Sequence, residues 1–405
     1  MRSVPSSQSS APPRNRSWLL IAALALTGLT MRTAVTSVGA ALDDLQRGLH
    51  ASGTAAGGIT TLPVICFAGL GSVTPRLSRR FGAHRLLVAA LLLSAAGAAL
   101  RPIGDSAVWF ALLSLVALSG GAVSNVLLPS LVKEHFPDHI GAMTALYSTA
   151  LAVGTTAAAG LTVPIGDVAG GWRGGVGSWA VFAVLAALPW LPTMRHDRAH
   201  LDTPRAMLSM AALTRSRTAW ALTIFFAAQS MQAYISFGWF ARFLDDHGLS
   251  HGTAGAMVAV LSAVGIPVSL VAPRVPQRHH RALLVGFGVC NLIAYTGMVV
   301  APAGGAWVWM VLAGVGAGNF PVALTLIGLR SRTAASTAAL SAFVQAIGYI
   351  VAGTGPLLFG ALFDATGSWA LPMTVLYVAL AVTLAVAWPV TADRFVDDEL
   401  AASAA

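Results

Sequence analysis

The chain has 405 residues, of which 56% are hydrophobic and only 10% charged, and its mean hydropathy is +0.74. Soluble globular domains carry about 25% charge, so this composition excludes a water-soluble enzyme or binding module and marks an integral membrane protein. The net charge of +9 does not imply nucleic acid, because the cations are spread over alternate loops and not gathered on a folded soluble domain.

In chain order, residues 1–17 are rich in Ser, Pro and Arg and read as a disordered tail. Apolar runs close to the ~20 residues that span hydrocarbon follow at 18–40, 53–74, 84–101, 106–128, 140–163 and 175–193. The first is too long for a signal-peptide core and lacks a cleavage site, so it is expected to stay in place. A polar linker, 194–217, carries Arg195, Arg198, Arg205, Arg215 and Arg217. A second set of runs occupies 218–240, 253–273, 281–301, 306–328, 335–360 and 369–390, within a half that ends at 391. The remainder, 392–405, reads as another disordered tail.

Arg76, Arg79, Arg80, Arg85, Lys133, Arg274, Arg278, Arg281, Arg330 and Arg332 fall in alternate loops, which places those loops and both termini on the cytoplasmic side of the cell membrane. The opposite loops hold acids such as Asp44, Asp105, Asp167 and Asp364. Arg101 and Arg173 lie there too, as interfacial anchors or partners of Asp105 or Asp167. Cys66 and Cys290 both fall inside expected helices, and no disulfide, metal site or cofactor follows from them.

Within the first run stands Arg32, about 20 Å along its helix. A guanidinium at that depth costs roughly 2.5–3.5 kcal/mol on insertion scales. It is therefore expected to face a cavity, or else to be tied to backbone carbonyls. The chain also repeats itself: Leu42-Asp43-Asp44 matches Leu244-Asp245-Asp246, Gly53-Thr54-Ala55 matches Gly252-Thr253-Ala254, Pro75-Arg76 matches Pro273-Arg274, and Asn125 matches Asn319. A duplicated unit of this kind marks transporters whose substrate site lies between two halves near the midplane. The same register sets Arg32 opposite Tyr234.

Gly71-Ser72-Val73-Thr74-Pro75-Arg76-Leu77-Ser78-Arg79-Arg80 resembles the Gly-x-x-x-Asp-Arg-x-Gly-Arg-Arg signature of the major facilitator superfamily, with Pro75 in place of Asp and Ser78 in place of Gly. Met31-Arg32-Thr33, Arg79-Arg80-Phe81-Gly82, the run Ser124-Asn125-Val126-Leu127-Leu128-Pro129, Phe136-Pro137 and Gly171-Trp172-Arg173 are similar to the bacterial cyanate and 2-nitroimidazole transporter family. The resemblance implies an all-α membrane protein with twelve transmembrane helices in two pseudo-symmetric six-helix halves. It also implies alternating access, a small anionic or dipolar substrate, a monomer, and a cavity lined by helices one, four, seven and ten.

Few polar side chains fall inside the spans. Arg32, Asn125, Tyr147, Gln229, Gln232, Tyr234, Asn319 and Gln345 are the candidate substrate-binding residues. Arg32 supplies a planar fork suited to oxyanions. Asn125 and Asn319 serve either as matched amide donors or as interhelical hydrogen bonds. Tyr349 and Gln345 are read first as interhelical. The Gly- and Ala-rich stretch Ala150 to Gly160 and its counterpart Gly348 to Gly355 are expected to allow close helix approach. Glu134-His135 lacks the His-Glu-x-x-His order of a zinc protease. Multidrug efflux is the alternative within transport, weakened by a small inventory of cavity aromatics; a non-transporting sensor is a distant third. With every Asp and Glu in loops, tails or helix ends, facilitated diffusion or exchange is expected in place of proton coupling.

Overall fold

The computed structural model describes residues 14–50, 53–195, 197 and 210–404. The expected N-terminal tail therefore lies outside the described residues up to 13, and so does the linker at 196 and 198–209. The first span runs Arg14–Thr30 and continues as Thr33–Ala40. The second to fifth are Gly53–Phe81, Ala83–Leu100, Ala107–His135 and Ile140–Val168. The sixth comprises Trp172–Gly177 and Ala180–Ala187, ending in a 3-10 segment, Leu188–Arg195. After a short helix, Met210–Leu213, the seventh to ninth are Arg217–Asp246, His251–Val271 and His280–Val300. The tenth is broken into Ala306–Gly316 and Asn319–Leu329, and the eleventh and twelfth are Ala334–Thr366 and Ala370–Thr391.

These are the twelve expected helices, several of them a turn or two longer than their apolar runs because polar ends extend beyond hydrocarbon. Entry into several spans is fixed by side-chain caps: the hydroxyls of Ser106, Ser216, Ser250 and Thr333 accept from the N–H groups of Val108, Ala219, Thr253 and Ser336. Each satisfies a donor that the first helical turn leaves open.

The second and fourth spans pack on the eleventh, and the fifth packs on the eighth and tenth, which joins the halves. This junction is concentrated toward one side. On the face that carries the linker, a single apolar core runs through both halves, from Leu24, Leu127 and Trp190 to Phe226, Ile327 and Val344. On the opposite face the core divides: Val38, Leu45, Ile59, Phe110 and Val176 form a cluster wholly within the first half, while Phe240, Phe243, Met257, Met298 and Leu376 belong to one wholly within the second. The described hydrogen bonds between halves obey the same division. Ser130 Oγ donates to the Ala334 carbonyl (2.7 Å), Lys133 Nζ to Gly328 (3.3 Å) and Ser148 Oγ to Ser269 (3.4 Å). Ser341 Oγ (3.3 Å) and Gln345 Nε2 (2.7 Å) both donate to the Asn125 carbonyl. The structure is closed toward the linker face and parted toward the other.

The segment after Asp393 differs from expectation, because Val396–Ala404 is a helix. Val396 and Leu400 are buried against the bundle. The Glu399 carboxylate accepts from Ser216 Oγ at 2.6 Å, from Thr218 Oγ1 at 2.7 Å and from the Thr218 N–H at 3.1 Å, so it caps the seventh span. Partial burial pushes this carboxyl up, but the hydrogen bonds from Ser216 and Thr218 outweigh burial and hold it below the usual range. A depressed carboxylate contributes stability that is complete above its unfolded pKa, about 4.3, and that is lost as pH falls through its lower folded value. Glu399→Ala is expected to lower the apparent melting temperature of the detergent-solubilised protein at pH 7 by the equivalent of about 1 kcal/mol. The difference from wild type should narrow below about pH 4. Identical melting at pH 7 would show that the terminal helix docks without this cap.

Candidate functional site

The first span breaks at Met31-Arg32, where neither Pro nor Gly stands. Hydroxyl side chains bond local carbonyls: Thr30 Oγ1 donates to Thr27 (2.9 Å), Thr33 Oγ1 to Thr30 (3.0 Å) and Thr36 Oγ1 to Arg32 (3.0 Å), the last shared with backbone N–H groups. Such back-bonding competes with the helix ladder and bends helices. The bend is wedged by close backbone approach. A Cβ on Gly154 would strike the Leu29 backbone, one on Gly121 the Met31 carbonyl, and one on Gly28 the Tyr147 carbonyl. Of the small-residue stretch, Gly154 thus contacts the first span, whereas Gly160 faces open space; in the counterpart, Gly348, Gly353 and Gly355 pack against Phe226, Val64 and Met231.

Arg32 occupies the break with φ −119° and ψ −7°, at the head of the helix Thr33–Ala40. Its Nη2 donates to the Tyr349 hydroxyl at 2.9 Å. The guanidinium carbon lies 4.8 Å from the Phe67 ring centroid and 5.7 Å from that of Tyr349. Tyr234, on the seventh span, is the second phenol beside the guanidinium, its ring 6.3 Å from Tyr349. Phe226 meets Tyr349 edge-on at 5.0 Å and Phe320 stands 6.1 Å from Phe226. Among the described residues no carboxylate pairs with Arg32; neutral oxygens and aromatic faces stabilise the charge, the latter by about 0.5–2 kcal/mol per contact. Arg32 and Tyr234 are only half-buried. The Arg32–Tyr349 bond is the described hydrogen bond between halves that lies farthest from the linker face, so this cluster forms the floor of the parted side.

The other expected residues separate into groups. Ser341, Gln345 and Tyr349 follow one another at helical steps of four on one stripe of the eleventh span. Gln345 and Ser341 clamp the Asn125 carbonyl one and two turns nearer the linker face than Tyr349, while the Asn125 side-chain amide, buried there, has no hydrogen-bond partner among the described residues. Tyr147 is buried beneath the first span and its hydroxyl likewise has none.

Gln229, Gln232 and Asn319 do not join Arg32. With Asn291 and Tyr295 they line a separate cavity inside the second half. Its volume of about 20 Å³ holds little more than one water-sized sphere. Gln232 is committed to this interior, donating to Thr383 Oγ1 at 2.9 Å and accepting from the Tyr295 hydroxyl at 3.2 Å. Arg101 also departs from expectation. It is fully buried, reaching the Ala34 carbonyl at 3.0 Å and Ser37 Oγ at 3.1 Å, while Asp105 pairs with Arg173. Arg101 thereby anchors the helix that continues from Arg32. Finally, the inventory of cavity aromatics is not small: Phe67, Phe226, Tyr234, Phe320 and Tyr349 surround or back the cation. In sequence the phenylalanines are indistinguishable from core residues. Tyr349 was findable from its one-face spacing with Gln345.

Residues 19–356 match the profile of the Major Facilitator Superfamily. The chain belongs to this superfamily. It is 35% identical over 395 residues to the uncharacterized transporter YycB of Bacillus subtilis, covering 95% of this chain and 97% of that protein. It is 34% identical to the 2-nitroimidazole transporter of Escherichia coli, covering 88% and 91%, and 27% identical to that organism's cyanate transport protein CynX, covering 86% and 91%. Solved structures share the fold at 14% identity: the proton:xylose symporter XylE, with a TM-score of 0.75 over 96% of this chain and 99% of that one, and FucP in the outward conformation, with 0.70 over 91% and 98%. As a major facilitator protein it is a multi-pass membrane transporter that moves a small molecule and is not an enzyme.

The Arg32 position in this transporter depends on the Gly154 contact. Gly154→Val is expected to lower apparent stability by about 1–3 kcal/mol through overpacking, whereas Gly160→Ala, facing open space, should melt like wild type. Equal melting of both variants would show that the first span is not held by this contact.

Proposed function

We propose that the protein carries a small planar anion or strongly dipolar solute across the cytoplasmic membrane, with Arg32 as its principal ligand. The observation that carries this reading is a guanidinium between the halves, at the floor of the parted side, whose described partners are all neutral. Cation and anion would neutralise one another there, and the planar fork matches paired oxygens bidentately. Phe67, Tyr234 and Tyr349 supply flat faces beside that fork. A nitro group on a flat heterocycle, or a compact anion such as cyanate, suits both features, in keeping with the two named Escherichia coli relatives. The N-terminus of Thr33–Ala40 adds the positive end of a half-helix, a device that transporters use toward anionic groups.

Basic residues on the linker face, Arg79, Arg80, Lys133, Arg278 and Arg332 among them, make it the cytoplasmic side. The parted side then faces outward, and both termini lie inside. Since the Arg32 guanidinium does not release a proton at working pH and no described carboxylate accompanies it, transport proceeds by facilitated diffusion or exchange.

The test is uptake of 2-nitroimidazole and of cyanate into proteoliposomes, with binding followed by thermal shift. A ligand at 100 times its dissociation constant adds about 2.7 kcal/mol of stability. Arg32→Lys should weaken binding by about tenfold or more and Arg32→Gln should abolish saturable uptake, with both proteins still monodisperse. An imposed pH gradient should not drive accumulation beyond that due to the solute's own protonation. Unaltered binding by folded Arg32→Gln would make the arginine structural, and gradient-driven accumulation would overturn the uncoupled mode.

A further inference from the structure

Away from the transport site, the linker face of the first half gathers four residues from three separate segments. His84 opens the third span, Glu134 and His135 close the fourth, and Asp197 follows the sixth. Asp197 is fixed first. It accepts from His84 Nδ1 at 2.9 Å and from the backbone N–H groups of His84 at 3.3 Å and Arg85 at 2.9 Å. Gly82, at φ +90°, belongs to the same arrangement, since a Cβ there would strike the Asp197 side chain.

With its Nδ1–H committed to Asp197, a neutral His84 imidazole has its lone pair on Nε2. That atom lies 2.9 Å from His135 Nε2. His84 is buried, His135 is half-buried and Glu134 is exposed, and one ligand atom from each falls within 4.8 Å of the others. A carboxylate on the far nitrogen of a buried imidazole, whose near nitrogen meets a second imidazole with a carboxylate within reach, is the outer-shell arrangement that orients metal-ligating histidines.

We propose that His84 Nε2, His135 Nε2 and the Glu134 carboxylate form a site for a divalent transition ion of the zinc class. Two imidazoles and one carboxylate are ligands that zinc accepts at about 2.0–2.2 Å, with solvent completing a tetrahedron. Ligand atoms in such a tetrahedron stand about 3.4 Å apart, so the imidazoles need open by only a fraction of an ångström, and His135 at the helix end is the one that moves. The proton that joins the two Nε2 atoms then leaves His135 Nε2 and, in the neutral ring, resides on Nδ1. Glu134 and Asp197 together balance the charge of the ion. The bound ion would clamp the start of the third span to the end of the fourth, beside the last turn of the second span, which bears Arg79 and Arg80. Through the buried Trp190, whose ring lies 5.9 Å from His84 and whose Nε1 donates to Thr27 Oγ1 at 2.8 Å, the clamp abuts the first span one turn before its break.

The full-length protein, purified through a histidine-free tag and stripped with chelator, would be titrated with Zn²⁺ by calorimetry, with metal per chain counted by mass spectrometry and stability followed by thermal shift. We expect one ion per wild-type chain and a raised melting temperature. His135→Ala should lose at least about 100-fold in affinity, while Glu134→Gln and Asp197→Asn should each lose about 10–100-fold. Mg²⁺ should produce no shift. Glu134→Gln, at an exposed position, keeps the test decisive if His135→Ala does not fold. The proposal is overturned if wild type binds no zinc, or if its stoichiometry and affinity persist in a folded His135→Ala or Glu134→Gln protein, which would assign the binding to other surface histidines. Failure here would leave the reading of Arg32 untouched, because none of these measurements involves transported solute.

Discussion

An arginine with no carboxylate beside it among the described residues, set within an apolar bundle, is the constraint on which the rest of the structure depends. Placing that charge at mid-helix depth costs several kcal/mol unless it is solvated by protein groups or by a wet cavity. Here Tyr349 supplies a hydroxyl, Phe67 and Tyr349 supply ring faces, and the half-buried guanidinium keeps contact with the parted side. Each provision has a structural consequence. The first span must break to aim Arg32, threonine hydroxyls bond carbonyls around the break, and the fourth and fifth spans must present Gly121 and Gly154 where the broken backbone comes close. Arg101, reaching Ala34 and Ser37, steadies the helix beyond the break.

The junction between halves is built to be undone. On the linker side its described hydrogen bonds run from Ser130, Lys133, Ser148, Ser341 and Gln345 to backbone carbonyls, and no ion pair crosses it among the described residues. Each such bond contributes about 0.5–1.5 kcal/mol net, within reach of the binding energy of a small ligand. This agrees with Pro75 standing where the superfamily signature carries an acid. The apolar core, continuous through both halves on the linker side and divided on the other, is arranged as alternating access requires. Opening the linker side would expose the Asn125 amide and Gln345 Oε1, buried polar atoms that lack a partner among the described residues.

Much of the architecture is legible in the sequence because a bilayer leaves few choices: long apolar runs must be helices, and basic loops order them. The Asp-Asp register of the repeat also sets Arg32 opposite Tyr234, which share one cluster in the fold. What stays hidden has physical causes. The break at Met31-Arg32 carries no Pro or Gly, arising instead from threonine back-bonding and from neighbours distant in sequence. A glutamine in a membrane helix satisfies its amide either across the cavity or within its own half, and Gln232 does the latter through Thr383 and Tyr295. The tenth span breaks before Asn319 while its repeat partner, the fourth, is continuous, so matching Asn125 to Asn319 by register does not place them in equivalent surroundings. The terminal helix looks like a polar tail because, among its described residues, only Val396 and Leu400 are buried, and the rest of its docking runs through the carboxylates of Asp397, Asp398 and Glu399.

If Arg32 joins ligand binding to the meeting of the two halves, ligand must draw the parted side together through this residue. Gly39 and Gly238 face open space on that side, one in each half, and cysteines there can carry spin labels once Cys66 and Cys290 are replaced by alanine. The decisive measurement is the distance distribution between these labels with and without saturating ligand, in otherwise native protein and in Arg32→Gln. The account predicts that ligand shifts the native distribution to shorter distances and leaves the Arg32→Gln distribution unchanged. An equal shift in both proteins would contradict it.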